Sequence, residues 1–193
     1  MDTTPSSSNT EENRQSQAGK LIAKSDSERR VIGYSLALAV VLLLADQASK
    51  LAVEHTFQLR ESIPILGDFS RLTYVTNPGA AWGMLAGKMY LLLGLAVVVF
   101  FGLLFFFRRI AEGWIERYFA VMMILSGIVG NSIDRIWRGE VVDFLDFNLG
   151  FYRWPTFNIA DSAICVGVIL FLLSSLLRKA PSPQHSGKEP SEK

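Results

Sequence analysis

Long apolar runs separated by short polar segments dominate the chain between residues 31 and 177. The runs over 89–107 and 118–133 contain no charged residue, and the run over 157–177 contains only Asp161. A helix needs about 20 predominantly apolar residues to cross the hydrocarbon core of a bilayer. The pattern therefore predicts membrane spans at about 31–53, 89–107, 118–134 and 157–177.

Backbone groups inside a bilayer must hydrogen-bond within the protein, which favours helices over isolated strands. We therefore expect an all-α polytopic membrane protein with four transmembrane helices. The first span contains Asp46 and Lys50, which lie one helical turn apart and can pair on one face.

Residues 31–44 also have the length of a signal-peptide core, and small residues follow at Ala45 and Ala48. The long polar segment before this run is unusual for a signal peptide. At this point of the argument both interpretations stay open for the first span.

Basic residues near the ends of the spans predict the orientation, because cytoplasmic loops carry an excess of Lys and Arg. One side of the membrane receives Lys20, Lys24, Arg29, Arg30, Arg108, Arg109, Arg117, Arg178 and Lys179. The loops on the other side carry Arg60, Arg71, Arg135, Arg138 and Arg153. The bias predicts that both termini are cytoplasmic and that the loops 54–88 and 134–155 lie on the outer face.

The outer loop over 55–88 has features of extended structure. Residues 71–76 alternate and are rich in β-formers, residues 63–67 are turn-like, and residues 77–79 form an Asn-Pro-Gly turn sequence. We expect a short strand or hairpin on the outer membrane surface.

The remaining composition excludes several classes of function. The 19 Lys and Arg residues nearly balance the 18 Asp and Glu residues, so no basic stripe indicates a nucleic-acid partner. The polar tails 1–30 and 180–193 are predicted to be disordered and to lie in the cytoplasm. Neither His55 nor His185 has a Cys or His at ligand spacing, so no metal or cofactor is expected. The single cysteine, Cys165, is interpreted as a small packing residue.

Three carboxylates, Asp134, Asp143 and Asp161, lie at the predicted outer ends of the last two spans. Two carboxylates that share one proton can activate water for attack on an amide. Asp161 lies inside a span, where an acid is costly and is often functional. Asp143 has apolar neighbours that would raise its pKa. Asp134 has Arg135 beside it and Asn131 one turn back, so an ion pair or a hydrogen-bonded cap can explain it. Local chemistry therefore favours Asp143 over Asp134 only slightly.

Small residues at Ser126, Gly127 and Gly130 allow close approach of another helix or of an extended peptide. Helix packing is the simpler of these two interpretations. Two non-enzymatic functions also compete: a proton-conducting bundle that uses Asp46, Lys50 and Asp161, and a passive assembly scaffold. The acids lie near one face of the membrane, which counts against a relay because a relay requires ionisable groups at several depths.

Five sequence motifs, taken together and in order, resemble those of the bacterial lipoprotein signal peptidases (signal peptidase II), over roughly residues 31–177. Pro78 stands where Thr is common in that family, and Trp82 where Phe also occurs. The motifs are Asp46-Gln47-Ala48-Ser49-Lys50, Asn77-Pro78-Gly79-Ala80-Ala81-Trp82, Gly130-Asn131-Ser132-Ile133-Asp134-Arg135, Val141-Val142-Asp143-Phe144 and Phe157-Asn158-Ile159-Ala160-Asp161-Ser162.

The resemblance implies an aspartic endopeptidase of the bacterial cytoplasmic membrane. Such an enzyme cleaves diacylglyceryl-modified prolipoproteins just before the lipidated cysteine, works beside membrane lipid near the outer face, and needs no cofactor. It also implies a small extracytoplasmic β-cradle over the substrate, and a monomer suffices for this chemistry.

Residue roles follow from the same resemblance. Asp143 and Asp161 would form the catalytic dyad, and Asp46 and Lys50 would have a structural role. The residues expected to bind substrate or support the dyad are Asn77, Gly127, Asn131, Asp134, Arg135, Asn158 and Ala160.

Overall fold

The computed structural model describes residues 7–80 and 83–178. The predicted C-terminal tail over 180–193 and the ring of Trp82 lie outside these ranges. The elements in chain order are α1 (Ser7–Thr56), β1 (Ser62–Leu66), β2 (Ser70–Asn77), α2 (Met89–Phe105), α3 (Phe107–Ala111), α4 (Ile115–Trp137), β3 (Val141–Asn148), β4 (Arg153–Phe157) and α5 (Ile159–Leu177).

Three helical segments in the described residues are long and apolar enough to cross a membrane: Ser25–Thr56, Ile115–Trp137 and Ile159–Leu177. They confirm a helical membrane protein. The second expected span is shorter than predicted, because α2 has 17 residues and the chain turns at Phe106 before α3.

Helix α4 lies at the centre of the bundle and packs against α1 and α5. Its Ser126 hydroxyl donates a hydrogen bond to the Ala39 carbonyl of α1, at 3.0 Å. On the α5 side, Gly127 faces the Ala160 carbonyl so closely that an added Cβ would overlap it. The small residues of α4 thus bring helices together, as the simpler of the two interpretations predicted.

Helix α1 begins at Ser7, whereas the sequence indicated a disordered segment over 1–30. Residues 11–20 consist largely of Glu, Gln, Arg, Ala and Lys, which are strong helix formers. Low hydrophobicity indicated disorder there, but it does not prevent a segment from extending a helix that is anchored in the bundle.

The sheet is antiparallel with strand order β1-β2-β3-β4. The predicted strand over 71–76 is confirmed as part of β2. Strands β3 and β4 were not predicted as strands. Residues 141–148 form β3, which pairs with β2 and with β4 and has an irregular register with each. Its pairing with β2 joins segments that are distant in sequence.

One face of the sheet carries a polar ladder that includes one side chain from every strand. Ser62 and Thr73 share a hydrogen bond of 2.7 Å, and Thr73 donates to Asp146 at 2.7 Å. Arg153 of β4 donates to both oxygens of Asp146, at 2.9 and 2.7 Å, a geometry that adds specificity as well as strength. The ladder fixes β4 relative to the other strands.

A buried cluster of charges joins α1 to α4. The Lys50 ammonium lies 2.9 Å from Asp46 and 2.8 Å from Asp134, and all three side chains are at most 1% exposed. Asp134 also accepts from Arg138 at 2.8 Å. The predicted pairing of Asp46 with Lys50 is present, and Lys50 in addition connects the first span to the α4 helix.

Replacing Lys50 should strongly destabilise the fold. Lys50→Met keeps most of the volume but leaves Asp46 buried without a cation and Asp134 with Arg138 alone, a loss of about 3–5 kcal/mol. The thermal unfolding midpoint of the purified protein in detergent measures this effect. Arg108→Gln is the matched control, because its contact with Glu28 is long at 3.7 Å and Arg108 is 72% exposed, so it should cost at most about 1 kcal/mol. Equal shifts for the two variants would contradict the role given to Lys50.

Candidate active site

A cavity of about 790 Å³ lies where the sheet meets the ends of α4 and α5. Asp143 and Asp161 both line it. The other residues of its wall are Val75, Thr76, Asn77, Pro78, Ala80, Gly83, Asn131, Arg135, Val141, Trp154, Pro155, Thr156, Phe157, Ser162, Ile164, Cys165 and Val166.

Strand β3 brings Asp143 into this cavity from the sheet side. Its pairing with Val75 of β2 fixes the position of its backbone, and its side chain is only 2% exposed. One carboxylate oxygen accepts from the Asn158 amide at 2.7 Å, and the other accepts from the Asn77 amide at 3.2 Å. Two amide donors therefore set the orientation of this carboxyl group.

The first turn of α5 holds Asp161. Asn158 caps this helix: its side-chain oxygen accepts from the Asp161 N–H at 2.9 Å, and the Asp161 carboxylate accepts from the Asn158 N–H at 3.2 Å. This reciprocal arrangement is a capping box. The second carboxylate oxygen accepts from the Asn131 amide of α4 at 2.7 Å.

Asn131 and Asn158 connect the two acids to each other and to the buried charges. The Asn131 side-chain oxygen accepts from Asn158 at 3.1 Å and from the Lys50 ammonium at 3.0 Å. Asn158 thus contacts both acids, while Asn131 connects Lys50 to Asp161. Asp46 completes the connection, because its carboxylate accepts the Ala160 N–H at 2.8 Å at the start of α5.

Arg135 holds the loop that follows β2 against α4. Its guanidinium donates to the Gly79 carbonyl at 2.8 Å and to the Asn131 carbonyl at 3.2 Å. The Asn77 side chain accepts from the Gly79 N–H at 2.9 Å, so the same loop also fixes the amide that contacts Asp143. Arg135 therefore positions the wall of the cavity as well as lining it.

Asp134 lies away from the cavity and is paired with Lys50 and Arg138. An ion pair or a hydrogen-bonded cap was expected for Asp134, and the ion pair is present. The expected partner Arg135 is wrong, because Arg135 donates to main-chain carbonyls. Gly127 and Ala160 also lie outside the cavity wall and form the close contact between α4 and α5.

Several contributors were missed from the sequence. Gln47 donates to Asp46 at 3.0 Å and to Asp134 at 3.2 Å, and its place inside the Asp46–Lys50 motif was the available indication. Cys165 is exposed and lines the cavity, so its interpretation as a packing residue was wrong. Within the described ranges, no group of His, Cys, Asp and Glu side chains is arranged to hold a metal ion.

The environment of Asp143 favours its protonated form. Burial and the nearby charge of Asp161 raise the pKa of Asp143 to about 7, although Asn77, Asn158 and Lys50 act in the opposite direction. Near neutral pH this carboxyl group therefore holds a proton for part of the time. An acid that can donate a proton thus lines the same cavity as a second carboxylate, which is the arrangement that water activation by a shared proton requires.

A family model described as Signal peptidase (SPase) II matches residues 38–177. The chain belongs to the signal peptidase II family. A lipoprotein signal peptidase of Desulforapulum autotrophicum is 40% identical over 149 residues, which cover 75% of this chain and 92% of the relative. One of Staphylococcus aureus is 38% identical over 145 residues, which cover 75% of this chain and 89% of the relative.

Two solved structures, each described as a bacterial membrane enzyme, have a similar fold. The first has a TM-score of 0.72 at 35% identity and covers 83% of this chain and 94% of its own. The second has a TM-score of 0.70 at 36% identity, with 77% and 95% covered. As a member of the signal peptidase II family, the chain is identified as a membrane protease, and the cavity lies within the region that the family model matches.

Two acids of β3 should change stability with pH in opposite directions. The raised pKa of Asp143 means that its protonated form stabilises the fold at low pH, a contribution lost as the pH rises through about 7. Asp143→Asn should therefore be more stable than the natural protein at pH 8, by about 1–3 kcal/mol, and the difference should shrink below pH 5. Unfolding midpoints measured across this pH range test the expectation.

Asp146→Asn is the control on the same strand. Burial alone would raise the pKa of Asp146, but the hydrogen bonds and charge of Arg153 and the hydroxyl of Thr73 outweigh it and hold the pKa below its usual value. Asp146 therefore stabilises the fold at neutral pH and stops doing so as the pH falls through that lowered pKa. Parallel pH dependences for the two variants would contradict the environments described for these acids.

Proposed function

We propose that this chain is an aspartic endopeptidase that removes signal peptides from diacylglyceryl-modified prolipoproteins. The cut falls just before the lipidated cysteine. The observation that carries the proposal is that Asp143 and Asp161 line one cavity and are joined through Asn158, in a chain of the signal peptidase II family.

The two acids act as a dyad on one water molecule. Asp143 holds the proton, in agreement with its raised pKa, and Asp161 is the base. Asp161 takes a proton from water while the water oxygen attacks the scissile carbonyl carbon, and Asp143 donates its proton to the carbonyl oxygen. A tetrahedral diol forms without an acyl-enzyme. Asp143 then takes back a proton from one diol hydroxyl as the C=O bond re-forms, and the C–N bond breaks as the amine of the lipidated cysteine takes the proton held by Asp161.

The surrounding residues hold the dyad in position. Asn77, Asn131 and Asn158 orient the two carboxyl groups, and Arg135 holds the loop beside the scissile bond. The residues with a structural role are Asp46, Lys50, Asp134, Gly127 and Ala160, which fix α1, α4 and α5 against one another.

The enzyme crosses the bacterial cytoplasmic membrane four times, with α1, α2, α4 and α5 as the spans. Helix α2 is apolar and, at 17 residues, is at the lower limit of about 17 for a span. The two termini are cytoplasmic, and the sheet and cavity lie near the outer face. The diacylglyceryl substrate then enters from the bilayer and binds to a single enzyme chain. Its acyl chains stay in the bilayer, which avoids the cost of moving them into water, about 0.8 kcal/mol per CH₂.

Cleavage of a diacylglyceryl-modified prolipoprotein in detergent or bilayer, followed by gel mobility, tests the proposal. Asp143→Asn and Asp161→Asn should each lower the rate by at least about a thousandfold, as expected for loss of the acid or the base. Asp134→Asn should retain cleavage at equal folded amount. Asp68→Asn is the matched control, because Asp68 is exposed in the β1–β2 turn, and it should cleave normally.

Two outcomes would contradict the proposal. Normal cleavage by Asp143→Asn or Asp161→Asn would exclude the dyad. An absence of cleavage by the natural chain, under conditions in which another lipoprotein signal peptidase is active, would reopen the relay and scaffold interpretations.

The pH profile provides a separate test of the proton on Asp143. The value of kcat/KM should fall about tenfold per pH unit above about 7, as Asp143 loses that proton. The Asn77 amide stabilises the charged form, so Asn77→Ala should raise the pKa of Asp143 and move the fall to higher pH. A profile that is flat from pH 6 to pH 9 would exclude the proposed proton donor.

A further inference from the structure

The strands line the cavity in two different ways. Strand β3 contributes alternate residues, Val141 and Asp143, whereas β2 and β4 contribute consecutive residues, 75–77 and 154–157. Successive side chains of a strand point to opposite faces of the sheet. Runs of consecutive lining residues therefore indicate that β4, and the part of β2 beyond its pairing with β1, each present an edge to the cavity, while β3 presents one face.

Strand β4 is an edge strand of the sheet. It pairs with β3 along one side, and no other strand in residues 7–80 and 83–178 pairs with it. Pro155 lies in the middle of β4, and within sheets proline is confined to edges, strand starts and bulges because it has no N–H for a ladder. Proline offers an incoming chain only a carbonyl oxygen.

The edge leads directly to the two acids. Phe157 ends β4, and the next residue, Asn158, donates to Asp143 and caps the helix that holds Asp161. A peptide that lies along β4 would therefore reach the dyad, because the residue that follows β4 positions both acids.

We propose that the β4 edge, residues 153–157, binds the extended segment next to the scissile bond of a prolipoprotein as an added strand. This inference rests on the proposed function. An added strand gains affinity from main-chain hydrogen bonds and selectivity from pockets for alternate side chains. Because Pro155 supplies only a carbonyl, the substrate supplies the N–H at that point. Recognition then depends on an extended backbone more than on side-chain identity.

The ladder on the opposite side of β4 keeps this edge in place. Arg153 at the start of β4 is held by both oxygens of Asp146, which is only 3% exposed. Phe157 at the other end stacks on Phe147 of β3, with the ring centroids 5.7 Å apart. Phe147 in turn contacts Phe69, at a centroid distance of 5.6 Å. The edge is thus fixed at both ends before a substrate binds.

A series of synthetic diacylglyceryl-modified prolipoprotein peptides tests the substrate side. Each peptide has one backbone amide, other than the scissile one, replaced by an ester, which removes a single N–H. With strand addition, kcat/KM should fall about 3- to 10-fold at alternate positions and stay within about twofold at the positions between them. Equal effects at all positions, or no effect at any, would overturn the proposal.

Disulfide trapping tests the enzyme side and locates the partner strand. In an Asp143→Asn, Cys165→Ser background the chain has no cysteine, since Cys165 is the only one. Thr156→Cys or Trp154→Cys is then added, and the substrate carries one free cysteine at successive positions, the lipidated cysteine being blocked as a thioether. Moving the enzyme cysteine by two residues should move the best-trapped substrate position in step along the paired strand.

Thr76→Cys on the opposite wall of the cavity is the matched control and should trap without such a register. Two results would overturn the assignment to β4. In the first, the best-trapped substrate position shifts with cysteines at Thr76 and Val75 of β2; in the second, it shifts with cysteines on neither strand. Cleavage of the all-amide peptide by the natural enzyme is measured in parallel. If that cleavage is absent, the proposed function is wrong. If cleavage occurs but kcat/KM does not alternate along the ester series, only the proposed strand addition is wrong.

Discussion

The buried ammonium of Lys50 is the interaction on which the rest of the site depends. It contacts Asp46, Asp134 and Asn131 within 3.0 Å. Removing three charges from water is expensive, and their mutual attraction offsets the cost only when every partner is present with good geometry. The cluster therefore holds α1 and α4 in one relative position. Asp46 extends that constraint to α5 through the Ala160 N–H.

Asparagine side-chain amides connect the acids of the cavity to this cluster and fix their positions. Asn131 transmits the position of Lys50 to Asp161, and Asn158 joins the start of α5 to Asp143 on the sheet. These directional bonds add to the apolar packing of Val53 on α1 against Val142 and Phe144 on β3, which also joins the helix bundle to the sheet. The site is thus assembled at a junction whose parts are all fixed by directional bonds, which is the preorganisation that water activation requires.

Features with local causes could be predicted from the sequence. Apolar length predicted the three helices of the described residues that are long enough to cross a membrane. Spacing predicted the pairing of Asp46 with Lys50, and alternation predicted β2. Features that depend on distant partners could not. Asp134 has Arg135 as its neighbour in sequence but Lys50 as its partner in space, and β3 pairs with β2, which is distant in sequence. The choice of Asp143 over Asp134 needed the family resemblance, because local chemistry barely separated them.

Each asparagine of the site works in only one orientation. The nitrogen of Asn158 donates to Asp143 while its oxygen accepts from the Asp161 backbone, and the oxygen of Asn131 accepts from Lys50 while its nitrogen donates to Asp161. Hydrolysis of either amide to a carboxylate would turn a donor into an acceptor facing another acceptor. Asparagine is among the thermolabile residues, so chemical ageing of one side chain is a route by which this protease can lose its activity while its helices and sheet stay folded.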